Sequence, residues 1–184
     1  MNNIVISDNY LFKVEQMILG GKDDLLVMAD FDRTLTKAFD SEGDKMSPGR
    51  LMRGLEVFQG KISEEIEDLY LKYKIIEADN KFKKREKIEA LSDCYRRQMR
   101  IMVKAGFNKD MLKDLVDNYE INFRDRFDSF VDYLSVNKIP LIIVSAAWGD
   151  LIELYLKKEG CLKERVYVVS NFFKFERHGK AIGI

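Results

Sequence analysis

One histidine, two cysteines and two prolines in 184 residues leave several chemistries without raw material. Catalysis by a Ser-His or Cys-His pair would have to rely on His178, near the end of the chain, and the inventory argues against it. Cys94 and Cys161 cannot build a disulfide framework and read as buried or free thiols of a reducing compartment. Eleven glycines and two prolines are too few for a flexible linker or a collagen-like repeat. Neither sign of charge is in excess, with 31 basic against 31 acidic residues, which excludes a general nucleic-acid binder driven by unbalanced Lys and Arg. Long apolar runs are absent too. Leu25–Ala29 and Ile139–Val144 are far shorter than a membrane span, and Met1–Asp8 shows no basic stretch leading into an apolar core. The expectation is a cytoplasmic protein that binds neither a membrane nor a nucleic-acid polymer.

What is present suits one sizeable core. Hydrophobic residues make up 46% of the chain, and the length fits one domain or a compact domain carrying an insertion. A first helix is expected after Asp8 as N-cap, with Leu11, Phe12, Val14, Met17 and Ile18 at helical spacing and Gly20-Gly21 as its stop. Leu25–Ala29, Ile139–Val144 and Val166–Val169 read as strands buried on both faces of a parallel sheet. A helix from Trp148 to Lys158, closed by Gly160, joins the second and third into a βαβ unit. The hundred-odd residues between the first two strands read as almost wholly helical. Ser47-Pro48 and Ser63 mark helix starts, Ile88 to Val103 keep helical spacing up to Gly106, Asn108 caps a further helix, and the last runs from Phe123 to Val136.

Asp30-Phe31-Asp32-Arg33-Thr34-Leu35-Thr36 directly follows the first strand. In open α/β sheets, ligands gather at the carboxyl ends of the strands. Two aspartates spaced i, i+2 there can both reach a ligand, one carboxylate attacking phosphorus and the other handling the leaving-group proton. The competing reading, a solvated turn rich in Asp and Thr, loses force after five consecutive apolar residues. Ser145, at the end of the second strand, precedes a helix whose free N–H groups form an anion site, and it also reads as a plain N-cap for that helix. Residues 81–104 hold nine basic groups against Glu86, Glu89 and Asp93. They read as a solvated helix face, which would draw in a phosphorylated ligand if it overhung the site.

The apolar strand followed by DFDRTLT resembles the first motif of the haloacid dehalogenase (HAD) superfamily. Tyr73–Phe82, Ile139–Gly160 and Val168–Gly179 are together similar to the cytosolic pyrimidine 5′-nucleotidases of the type III group. The resemblance implies an α/β protein with a Rossmann-like HAD core and parallel sheet, residues 1–39 and 119–184, and an all-helical cap insertion, residues 40–118. It implies a phosphoric monoester hydrolase acting on nucleoside 5′-monophosphates through an aspartyl-phosphate intermediate with Mg²⁺. Asp30 would be the nucleophile, Asp32 the general acid and then base, and Thr34 a support of their loop. Mg²⁺ would take the Asp30 carboxylate and the Asp32 carbonyl. The Ser145 hydroxyl and the Ala146 amide would hold phosphate, and Glu77 would contact the nucleobase, as an acceptor-only carboxylate can.

The family completes its site with a lysine and an acidic cluster that follow the segment matching Val168–Gly179, and this chain has no counterpart of the cluster before Ile184. The resemblance therefore implies a core lacking its C-terminal part, a weak or inactive catalyst, and an unfinished sheet through which copies could associate. Two alternatives stay open: an HAD phosphatase for another small phosphomonoester, such as phosphoserine, and a non-catalytic binding module of the same fold.

Overall fold

The computed structural model describes residues 9–39, 43, 51 and 61–183. Helix α1 (Tyr10–Gly20) is followed by strand β1 (Val27–Asp30). Helices α2 (Lys61–Ala78), α3 (Lys84–Lys104), α4 (Lys109–Asn118) and α5 (Phe127–Val136) come next. Strand β2 (Leu141–Trp148), helix α6 (Gly149–Lys158) and strand β3 (Val166–Asn171) form the βαβ unit, and β4 (Lys174–Phe175) and β5 (Ala181–Gly183) close the chain as an antiparallel hairpin. The sheet runs β1-β2-β3, all parallel, in the register Val27↔Leu141 and Asp30↔Val144 on one side and Leu141↔Val166 on the other. All three carboxyl ends thus lie on one edge, with Asp30 a single residue short of the level of Ser145.

The strands are where the sequence pointed, but they are not buried on both faces. Leu26, Met28, Tyr167 and Val169 are each more than half exposed, while Leu141 and Ile143 are fully buried. A parallel sheet hides both faces only when helices cover both. Here α6 packs on β2 and β3, its Leu151, Ile152 and Leu156 joining Leu141 and Ile143 in one core cluster. Helix α1 buries none of its residues and leaves Leu11 and Leu19 open. Its expected cap, Asp8, lies outside the described residues, as does the Ser47-Pro48 helix start.

Three boundaries move. Trp148 ends β2 rather than opening α6, because Ser145–Trp148 stays extended and still pairs with Asn171. Phe123 lies in an extended segment bridged to Thr36, so α5 starts only at Phe127, after Arg126 takes a left-handed conformation (φ 64°). Ser63 falls inside α2. The Asn108 cap is as expected, its Oδ1 accepting from the N–H groups of Asp110 and Met111.

The helices of the 84–118 stretch are tied into the core rather than hung from it. The Ala181 amide donates to the Phe107 carbonyl (2.8 Å) and the Lys109 amide to that of Gly179 (3.0 Å). The buried Tyr155 hydroxyl of α6 donates to the Tyr119 carbonyl (2.8 Å), and Lys158 Nζ to that of Val116 (2.7 Å). Lys180 sits in this hairpin, bridged to Asn108.

Candidate active site

The Asp30–Thr36 segment leaves β1 as a tight loop rather than a regular helix. Asp32 (φ −67°, ψ 118°) and Arg33 (φ 65°, ψ 0°) have the two central conformations of a type II turn, whose second position ordinarily takes glycine. An arginine there costs about 1 kcal/mol or more of backbone strain. The loop repays it locally: the Arg33 amide donates to Thr36 Oγ1 (2.9 Å), and the Thr36 hydroxyl donates to the Phe31 carbonyl (3.3 Å). Phe31, between the two aspartates, is fully buried and meets Phe123 edge to face (5.8 Å between centroids). The apolar residue of the Asp-Phe-Asp motif is thus an anchor that turns both acids toward the same strand-end region.

Thr34 donates its hydroxyl to Asp30 Oδ2 (3.0 Å), so the expected loop support reaches the expected nucleophile directly. Asp32 behaves differently. Its Oδ1 is buried and accepts no hydrogen bond. Burial, and then the negative charge of Asp30, push its pKa up to about 6 against the opposing pull of Arg33. A carboxyl group so poised carries a proton part of the time near neutral pH, which is what a general acid that must later act as base needs.

Asp32 also lines a cavity of about 250 Å³ between the sheet edge and helices α2 and α3. Glu77, Lys74, Tyr70 and Tyr73 of α2 face it, with Tyr95 and Gln98 of α3 and Ala146 to Trp148 of β2. Glu77 and Ala146, far apart in sequence, therefore share one pocket with Asp32. Of the aromatics around the 70–95 stretch, Tyr70, Tyr73 and Tyr95 line this pocket and Phe82 does not. Ser145 sits beside it, buried, its Oγ accepting from the Ala147 amide (3.1 Å). It is not an N-cap: α6 starts four residues later, and Ser145 organises the end of β2. Its hydroxyl proton is left to donate to a ligand.

Trp148 and Gln98 carried no sequence signal of a place at the site. Trp148 forms part of the pocket wall and meets Tyr95 edge to face (5.9 Å). Gln98 is a buried amide anchored on the Ile66 carbonyl (3.4 Å). Tyr73 is held by its hydroxyl on Asp93, which also pairs with Arg97 (2.7 Å). The basic face of α3 is largely solvated, although Lys87 Nζ donates to the Glu77 carbonyl (2.6 Å) and so steadies the end of α2. Among the described residues, no three His, Cys, Asp or Glu side chains come together to hold a metal ion. The Asp30 carboxylate and the Asp32 carbonyl are hard oxygens of the kind Mg²⁺ takes, but they supply only part of a coordination shell.

Known proteins resemble this chain. A Caenorhabditis elegans protein named as a cytosolic 5′-nucleotidase 3 is 27% identical over 172 residues, covering 92% of this chain and 46% of its own. A Xenopus laevis 7-methylguanosine phosphate-specific 5′-nucleotidase A is 26% identical over 172 residues, covering 93% and 59%. The crystal structure of cytosolic 5′-nucleotidase IIIB bound to cytidine superposes with a TM-score of 0.78 at 25% identity, covering 92% of this chain and 56% of that one. A HAD family hydrolase of Salmonella enterica superposes with a TM-score of 0.54 at 11% identity, over 96% of this chain and 54% of that one, which speaks for the fold alone. The fold is thus of the HAD type, and the chain spans about half the length of the curated relatives it matches. The family model described as Pyrimidine 5'-nucleotidase (UMPH-1) matches residues 33–184, and the chain belongs to that family.

Proposed function

We propose that the protein is a phosphoric monoester hydrolase that removes the 5′-phosphate from nucleoside monophosphates. The observation that carries this reading is the single pocket shared by Asp32, Glu77 and Ala146, with Asp30 and Ser145 at the adjoining strand ends. Asp30 attacks phosphorus and takes the phosphoryl group, splitting one difficult hydrolysis into two displacements. Asp32 delivers its proton to the departing 5′-oxygen and then, as carboxylate, accepts one from the water that releases phosphate. Ser145 Oγ–H and the Ala146 amide hold the non-reacting phosphate oxygens, and Thr34 fixes the rotation of the Asp30 carboxyl group. Mg²⁺, held by the Asp30 carboxylate and the Asp32 carbonyl, would neutralise charge on the phosphoryl oxygens. We assign residues 1–39 and 119–184 to the core and 40–118 to the cap, with Glu77 of the cap accepting hydrogen bonds from the base. The cytosol is the compartment this reading implies, and the name of the Caenorhabditis elegans relative points the same way.

The test is phosphate release from UMP, CMP, 7-methylguanosine monophosphate and phosphoserine with millimolar Mg²⁺, on the 184-residue chain and on any longer natural form. Turnover of a nucleotide that is lost in Asp30→Asn supports the reading. Preferential turnover of phosphoserine moves the substrate assignment, and nucleotide binding without turnover of any ester would make the protein a binding module.

A further inference from the structure

We propose that Arg124 is a positioning residue for the Asp32 turn, and this rests on the hydrolase reading above. Arg124 is 91 residues from Arg33 in the chain, yet its Nη2 donates to the Arg33 carbonyl at 2.6 Å. Its Nε reaches the Thr34 carbonyl at 3.3 Å, and its own amide donates to that of Leu35 at 2.9 Å. Three donors from one residue therefore satisfy three successive carbonyls of the loop that presents Asp32. The turn needs outside help because its left-handed position is held by Arg33 and not by glycine. A planar guanidinium aims two N–H groups at two adjacent carbonyls in a fixed fork, whereas an ammonium is a rotatable point charge without that preset geometry.

The neighbours of Arg124 make the contact a brace and not a passing surface pair. Phe123 packs on Phe31, between the aspartates, and stacks on Phe127 with 4.6 Å between centroids. The Lys37 amide donates to the Asn122 carbonyl (2.7 Å), and Lys37 Nζ pairs with Asp125 (2.6 Å). The strand-like segment 122–124 thus lies along the exit of the catalytic loop, with its aromatic side fixing Phe31 and its arginine fixing the turn. Burial of Phe31 and Phe123 already secures the fold here. The guanidinium contacts fall only on the turn, so their effect should be on where Asp32 sits.

The experiment compares Arg124→Gln and Arg124→Lys in the full chain, with steady-state kinetics on the best nucleotide and amide hydrogen exchange. In Arg124→Gln, kcat should fall about 10- to 100-fold with KM within about twofold, as a small misplacement of a reacting group does. Exchange at Arg33 and Thr36 should accelerate at least tenfold, while Val27 and Leu141 in the sheet keep their protection. Arg124→Lys should recover part of both. Unchanged kcat in Arg124→Gln, or faster exchange spread equally over loop and sheet, overturns the proposal. If Arg124→Gln does not fold, Arg124→Lys decides by the same two measurements. If the unmodified protein hydrolyses no phosphomonoester, the hydrolase reading fails by itself. Exchange then still decides the brace, since unaltered protection at Arg33 and Thr36 would remove it.

Discussion

Thr34 donates its hydroxyl to Oδ2 of Asp30, four residues back along the same loop, across 3.0 Å. One oxygen of the proposed nucleophile is thereby engaged, and rotation of the carboxyl group is restrained. A neutral-donor bond at the surface is worth about 1 kcal/mol. Thr34→Val should therefore lower kcat by roughly 3- to 10-fold with little change in KM, and Thr34→Ser should keep most of the rate. A wild-type kcat in Thr34→Val would mean that something else orients Asp30.

Asp32 ties stability to pH. Its folded pKa of about 6 lies above the ordinary value near 3.8. Below about pH 4 the acid is protonated in both states and contributes nothing. Between about 4 and 6 the unfolded chain ionises first, so stability falls as pH rises, and above 6 the whole penalty is in place. Two pKa units correspond to about 3 kcal/mol, reduced to about half by the partial solvation of the group. Asp32→Asn should thus be inactive yet more stable than the parent at pH 7.5, with the advantage gone at pH 3.5. Urea unfolding in metal-free buffer at both pH values checks it, and equal stabilities at pH 7.5 would show that Asp32 is not strained by burial.

Glu77 of α2 lines the same pocket as Asp32 and Ala146 and has no part in the chemistry proposed for Asp30. Glu77→Ala should change the ranking of nucleoside monophosphates by about tenfold in kcat/KM, the scale of one lost charged hydrogen bond. Hydrolysis of p-nitrophenyl phosphate, which has no base, should be spared. Equal losses on both kinds of ester would remove Glu77 from the specificity role.

Gly149 opens α6 directly under the ring of Phe172, where a Cβ would come within 2.4 Å of ring carbons. Gly149→Ala should destabilise the protein by about 1–3 kcal/mol, the usual penalty of overpacking. The clash predicts its own rescue: in a Phe172→Ala background the same substitution should be nearly neutral. A double-mutant cycle measured by thermal unfolding distinguishes this from a simple loss of backbone freedom, which Phe172 would not affect.

The motif, the strands and the Asn108 cap were legible because each depends on a few adjacent residues. Five apolar residues before Asp30 need a strand, and an Asn followed by a helical pattern needs no distant partner. Burial was not legible, since Met28 and Val169 look like core residues until it is known which faces the helices cover. Trp148 was misplaced because the extended end of β2 is stabilised by Asn171, from another strand. Arg124 and Gln98 gave no signal at all: their meaning lies in carbonyls 91 and 32 residues away. Arg33 shows the same limit from the other side. Nothing in an Asp-Arg-Thr sequence announces a left-handed residue, because the guanidinium that braces it comes from 91 residues away.

The pairing of Val27 with Leu141 has a consequence for how the protein is born. At about 5–20 residues per second, synthesis of the stretch between them takes on the order of ten seconds. Throughout that interval the strand bearing the proposed nucleophile has no neighbour, and Leu26 and Met28 stand in water beside it. Helices α2 to α4 need only local contacts and can form while the ribosome is still working. The pocket wall therefore precedes the strand edge with the proposed catalytic residues. The chemistry is the last part of the molecule to be assembled, and its earliest residues wait longest for their partners.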